Sequence, residues 1–172
     1  MKCVQEMLGV ILGILFNMDS DKVNQLTHRW EYRNTWVSEF IPAGSSILDI
    51  GCGNKSFLNY FECNDYLGLD RTIYADIQTD LNTQTVKIDK VYDVGLILGV
   101  LEYVDDPIEL IEKYKDKATT WVILVLSKKQ KEKYNWKHSF NTSFFKYVCK
   151  KNFKNITLHR NKNYILGICK NV

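Results

Sequence analysis

The stretch Tyr92 to Val100, YDVGLILGV, is apolar at almost every position. Such a run is expected of a strand covered on both faces, and strands of that kind belong to parallel sheets. Ser46-Ile-Leu-Asp-Ile50 and Trp121-Val-Ile-Leu-Val-Leu126 read the same way, Asp65 to Asp70 gives a further strand, and another is expected within 75–81. Helical segments alternate with them. Residues 22–41 place Val23, Leu26, Trp30, Val37 and Phe40 mostly at helical spacing, and Pro42-Ala-Gly44 ends the run. Residues 54–62 suit a helix. Asp105-Asp106-Pro107 opens another, with acids at the cap and proline in the first turn. Asn141-Thr142-Ser143 caps one running to about Asn152. Ile156 to Arg160 and Tyr164 to Cys169 form a hairpin across Asn161-Lys-Asn163. This alternation predicts an α/β, doubly wound, mostly parallel seven-stranded sheet closed by an antiparallel C-terminal hairpin.

The chain of 172 residues is long enough for one domain with a short extension. Hydrophobic residues at 45% supply a core and exclude a disordered chain. We divide it into an apolar helical extension, 1–21, and a single domain, 22–172. Residues 7–16 (MLGVILGILF) are apolar but short of the roughly 20 needed to span a bilayer. Asn17, Asp19 and Asp21 follow with no small-residue cleavage site, which argues against a signal peptide. The segment is expected to dock on the domain or a partner, with membrane-surface contact as the alternative. Five cysteines, at 3, 52, 63, 149 and 169, include no CxxC, so neither a disulfide framework nor a metal site is expected, and a reducing cytoplasm is.

Charge is uneven. Residues 128–172 carry twelve Lys or Arg against the single acid Glu132, whereas residues 1–127 carry eleven against nineteen acids. That asymmetry suits an anionic partner, an anionic small substrate or RNA, or else is a solvated basic face. The aromatics interleaved with these lysines, among them Phe144, Phe145 and Tyr147, read as core at helical spacing rather than as stacking platforms.

The chemistry concentrates where the first strand ends, in Ile47-Leu-Asp49-Ile-Gly51-Cys-Gly53-Asn-Lys55-Ser56. Gly51 permits a tight turn, and Gly53 admits a ligand to the backbone. Asp70 follows at the end of the second strand, where a carboxylate suits ribose hydroxyls. A dinucleotide site wants a third glycine where Ser56 stands. A phosphate loop wants glycines where Asp49 and Asn54 stand, and Asp49 would repel phosphate. A methionine zwitterion over the loop, with a ribose beyond it, tolerates Asp49 better.

In four segments the sequence resembles the class I S-adenosylmethionine-dependent methyltransferases: LDIGCG (48–53), LGLD (67–70), DLN (80–82) and DVGLILGVLEYVDDP (93–107). They occur in the family's order and spacing, and the resemblance covers roughly residues 22–170. The resemblance implies a Rossmann-like fold and S-adenosylmethionine as cofactor. It implies that Asp49, Gly51, Cys52 and Gly53 line the methionine part, and that Asp70 holds the ribose. Asp80 would accept from the adenine amino group, with Leu81 beside the ring; Asp76 competes for that role. Leu98 and Gly99 would flank the methionine chain, and Glu102 and Tyr103 would sit nearest the substrate. The family often has glycine where this chain has Lys55.

No Asn/Asp-Pro-Pro-aromatic motif follows the fourth strand, so DNA amino methylation is not expected. Glu102 and His138 are the candidate bases. His28 and His159 carry less signal. Arg29 and Arg33, ahead of the first strand, are candidates for a cofactor carboxylate or an anionic substrate. The reading favoured is methyl transfer to a small-molecule, saccharide or lipid-linked acceptor. RNA methylation through the basic face and a non-catalytic S-adenosylmethionine-binding subunit are the alternatives.

Overall fold

The computed structural model describes residues 30–127 and 136–171. The 1–21 extension with its apolar run 7–16, the first part of the helix expected over 22–41, His28, Arg29 and the lysines of 128–135 lie outside the described residues. Helix α1 covers 30–38. Then come β1 (Ser46–Ile50), a 3-10 turn (Ser56–Asn59), β2 (Asp65–Asp70), β3 (Ile77–Gln78), β4 (Tyr92–Leu98), α2 (Pro107–Tyr114), β5 (Ala118–Leu126), α3 (Thr142–Asn152), β6 (Asn155–Arg160) and β7 (Tyr164–Lys170). The strands form one sheet in the order β3-β2-β1-β4-β5-β7-β6. The first five pair parallel, β7 runs antiparallel to β5, and β6 antiparallel to β7. This is the Rossmann-like architecture expected, hairpin included.

Alternate residues of each strand face opposite sides. Leu48, Ile50, Ile97, Ile123 and Val125 pack beneath α2 and α3, meeting Leu110, Ile111, Tyr114, Phe145 and Val148. Ile47, Val94, Leu96, Val122 and Leu124 face the other way, against Val37 and Ile41 of the α1 region and Phe57. Fully burying one such side chain contributes about 1.5–3 kcal/mol, which ties the pattern of the strands to the stability of both layers.

Local chemistry sets the ends of the elements. Asp106 caps α2, its side chain accepting from the Ile108 and Glu109 N–H groups at 2.8 and 3.0 Å. Asn141 caps α3 through the Phe144 N–H at 2.9 Å. In the hairpin, Asn161 Oδ1 accepts from the Asn163 and Tyr164 N–H groups at 2.9 and 2.8 Å.

The expectation of a helix over 54–62 needs correction. Only the 3-10 turn forms there. Lys55 sits in the left-handed region (φ 59°, ψ 28°), which no α-helix continues through. The crossover spends 51–55 on the turn before β2 begins at Asp65.

Candidate functional site

The strand order reverses between β1 and β4, which is where a sheet of this type leaves a crevice beyond its C-terminal ends. A cleft of about 610 Å³ opens there, within the roughly 300–1,000 Å³ typical of small-ligand sites.

Its β1–β2–β3 side is built on the glycine turn. Gly51 has φ 81°, and a Cβ there would stand 2.2 Å from Val100 Cγ2. Gly53 has φ 56°, with nothing within 4 Å of where its Cβ would be. The Gly51 and Cys52 N–H groups donate to the Leu69 carbonyl at 2.7 and 3.1 Å, folding the turn back over β2. Asp70 then meets it. Its Oδ2 accepts from the Gly53 N–H at 2.9 Å and its Oδ1 from the Thr72 N–H at 3.1 Å. Thr72 Oγ1 donates to the Gly53 carbonyl at 2.8 Å. Asp80 and Leu81 line the same side, and Asp80 Oδ1 accepts from the Asn82 N–H at 2.9 Å. Asp76 does not line the cleft. Its carboxylate pairs with the Lys55 ammonium and accepts from the Gly68 N–H at 2.8 Å. Of the two candidates for the adenine position, the cleft therefore receives Asp80.

Cys52 lines the cleft with its thiol largely buried. Burial, then the nearby Asp49 and Asp70 carboxylates, push that thiol well above its ordinary range. It stays protonated and unreactive at neutral pH.

On the β4–β5–β7 side stand Leu98, Gly99, Tyr103, Leu126, Trp136 and Tyr164. Arg33 and Lys137 supply cationic groups. Arg33 is nearly buried; its Nη1 donates to the Leu98 carbonyl at 3.0 Å and its Nε to Asn34 Oδ1 at 3.0 Å. Its guanidinium lies 5.2 Å from the centre of the Trp30 ring. The Lys137 ammonium pairs with Asp105.

Three expected site residues are not on the wall. Asp49 is buried beneath the turn, where its Oδ2 accepts from the Tyr66 hydroxyl at 2.8 Å. Burial holds its carboxyl up to about 7, against the opposing pull of Tyr66 and Arg33. Glu102 is fully buried behind the loop, its Oε1 accepting from the Leu126 N–H at 2.6 Å. Its carboxyl is likewise pushed up to about 7 by burial, opposed by the Leu126 N–H, its own N–H and Arg33. His138 turns its Nε2 to the carbonyls of Val104 and Asp105, at 3.0 and 3.1 Å. Neither candidate base faces a ligand in the cleft. The reason is the same for both: a hydrogen-bond partner on another segment turns the side chain away from the cleft.

Sequence reasoning missed Trp136 and Lys137, although they precede His138 directly. It also missed Tyr164, which opens β7, Thr72 beside Asp70, and Trp30, which lies one helical turn before Arg33. Phe144 and Tyr147 are exposed rather than core, as is the run of lysines on α3. Yet Phe140, Phe144 and Tyr147 stack on one another, with interplanar angles of 25° and 17°, and Lys151 covers Tyr147. Their faces are largely taken. Among the described residues no cluster of metal-ligating side chains occurs, and no helix is long and apolar enough to cross a membrane.

No family model matches this sequence, and no curated protein matches it either. Solved structures do. A SAM-dependent methyltransferase of Thermotoga maritima superposes with a TM-score of 0.71 at 12% identity, over 94% of this chain and 100% of the other. The N-methyltransferase NodS of Bradyrhizobium japonicum, in complex with S-adenosyl-L-homocysteine, superposes at 0.60 and 15% identity, over 84% and 86%. A SAM-dependent methyltransferase of Archaeoglobus fulgidus gives 0.62 at 15% identity, over 88% and 100%. The chain has the fold of the class I S-adenosylmethionine-dependent methyltransferases.

Proposed function

We propose that this chain binds S-adenosylmethionine in the cleft and transfers its methyl group to a small-molecule, saccharide or lipid-linked acceptor. One observation carries the reading. The open backbone at Gly53 and the Asp70 carboxylate are locked together at 2.9 Å on the same side of the cleft as Asp80 and Leu81. A nucleoside wants a carboxylate at its sugar and a backbone approach beside it. Each Asp70 oxygen accepts one N–H from the loop and keeps a lone pair for a ribose hydroxyl. Asp80 and Leu81 would hold the adenine, and Leu98 and Gly99 the methionine chain. Arg33, fixed by the Leu98 carbonyl, presents the remainder of its guanidinium to a carboxylate. When bound, the cofactor supplies a methyl group open to in-line displacement. Tyr103, Trp136 and Lys137 wall the side where the acceptor would stand, and the chain's part there is to align it and exclude water.

A second reading, a non-catalytic S-adenosylmethionine-binding subunit, is favoured by the placement of Glu102 and His138 off the wall. An RNA acceptor would use the exposed lysines of α3.

Calorimetric titration with S-adenosylmethionine and S-adenosylhomocysteine tests the cofactor reading. Wild type binds both. Asp70→Ala loses a charge-assisted acceptor worth about 1.5–3 kcal/mol, roughly a 10- to 150-fold weaker Kd. Equal affinity in the variant rejects the ribose assignment. Turnover across acceptor panels separates enzyme from binding subunit, and a steep fall of RNA affinity with salt would select the RNA reading.

A further inference from the structure

One residue joins the three segments that wall the β5 side of the cleft, by its side chain and its backbone carbonyl. Glu102 stands on the loop after β4, and its Oε1 takes the Leu126 N–H at the end of β5, at 2.6 Å. Its backbone carbonyl accepts from the Lys137 and His138 N–H groups at 2.7 and 3.2 Å. Its Oε2 is buried with no hydrogen-bond partner among the described residues. The residues adjoining these bonds face the cleft: Tyr103, Leu126, Trp136 and Lys137. The Tyr103 and Trp136 rings meet edge-on, centroids 6.5 Å apart. A joint that only held the fold together would be cheaper with a neutral amide or an apolar contact, since a buried carboxylate loses its hydration.

We propose that Glu102 is a positioning residue for the acceptor side of the cleft: its carboxylate fixes the end of β5 against the 99–104 loop, whose own Glu102 carbonyl holds the 136–138 segment, and so sets where Tyr103, Trp136 and Lys137 stand. The proposal rests on the cofactor reading above, with the acceptor on the β5 side. The charged groups around it come from every neighbouring element. Arg33 of α1 draws Glu102 toward its ionised form, and Asp49 at the end of β1 and Tyr164 of β7 act on the same guanidinium. Lys137, His138 and Asp105 stand on the segments that Glu102 joins. An ionised carboxylate accepts the Leu126 N–H more strongly than a protonated one. The wall therefore tightens as Glu102 loses its proton.

The test follows the Trp136 indole N–H resonance of the full chain across about pH 5 to 9, assigned with Trp136→Phe. In wild type the resonance moves with a midpoint at about 7. Glu102→Gln, which keeps an oxygen for Leu126, abolishes the movement while still binding S-adenosylhomocysteine. The Asp49 carboxyl is also held up to about 7, and histidine changes charge in this range as well, so Asp49→Asn and His138→Gln are titrated alongside and each retains the movement. A static resonance in wild type, a titration that survives Glu102→Gln, or one that vanishes in Asp49→Asn or His138→Gln overturns the proposal. If Glu102→Gln does not fold, the wild-type, Asp49→Asn and His138→Gln titrations still decide it. Calorimetry on the same wild-type sample reads the cofactor separately: absence of S-adenosylhomocysteine binding sinks the cofactor reading and leaves the titration result intact.

Discussion

Lys55 occupies a backbone conformation that L-residues avoid. Its φ of 59° and ψ of 28° cost about 1–2 kcal/mol for a residue with a Cβ. What Lys55 gains is an ion pair with Asp76, with side chains 25% and 36% exposed, and a position 5.9 Å from the centre of the Tyr66 ring. A pair that open to solvent contributes about 0.2–1 kcal/mol, and the ring contact about 0.5 kcal/mol. Lys55→Gly and Lys55→Ala both lose those contacts, so they cancel between the two variants. Glycine alone relieves the strain, less about 0.4–1 kcal/mol for its freer unfolded chain. Lys55→Gly is therefore expected to exceed Lys55→Ala in stability by about 0.5–1 kcal/mol, the reverse of the order at an ordinary exposed site. Urea midpoints at constant m measure the difference directly. In a chain of this size it corresponds to a Tm gap of about 1–4 °C. If the alanine variant is as stable as the glycine variant, residue 55 is not held left-handed and the account of the turn is wrong.

Gly51→Ala forces a methyl to 2.2 Å from Val100 at φ 81°, so a loss of about 2 kcal/mol or more is expected in thermal melts. Gly53→Ala meets nothing within 4 Å. It should cost only about 1 kcal/mol of strain while weakening S-adenosylhomocysteine binding in calorimetry, because its methyl stands in the cleft. Asp49 and Glu102 are raised from 3.8 and 4.5 to about 7. The native state therefore binds more protons than the unfolded chain between those values, and their contribution falls as pH rises through that window and levels off above it. Asp65, Asp76 and Asp93 are lowered instead, and their contribution is lost only as pH falls through their depressed native values. Asp49→Asn should flatten the decline in urea midpoint between about pH 4 and pH 7; an unchanged slope would show that Asp49 is not buried as a neutral acid.

Local patterns made much of this molecule legible. The apolarity of 92–100, broken only by the exposed Asp93, sufficed for β4, because a strand covered on both faces needs it at almost every position. Asp106, Asn141 and Asn161 each act within three residues, so a single sequence reveals the ends they set. Asp70 was readable because it ends a strand, where topology places it at the crevice, whereas Asp80 was singled out over Asp76 by the resemblance of DLN (80–82). The helix expected over 54–62 failed through a backbone conformation at Lys55 that carries no signature in a lysine. Glu102 and His138 failed for a different reason. Whether a loop side chain faces a cleft or turns its back on it depends on partners far along the chain, here the Leu126 N–H for one and the Val104 and Asp105 carbonyls for the other.

That reversal bears on the chemistry. With Glu102 and His138 behind the wall, the carboxylates lining the cleft, Asp70 and Asp80, both belong to the β2–β3 side. On the β5 side the proton-bearing polar groups are the Tyr103 and Tyr164 hydroxyls, the Arg33 guanidinium and the Lys137 ammonium. Burial holds Arg33 below its ordinary value but leaves it a cation. Cations beside a reacting oxygen or sulfur favour its deprotonated form, whereas they penalise an acceptor that must arrive as an ammonium. Under the proposed methyl transfer, the site would therefore suit an acceptor that is nucleophilic on arrival, or that ionises with the help of the surrounding cations. Its rate would then follow the ionisation of the acceptor itself, with no limb contributed by a protein base in contact with it.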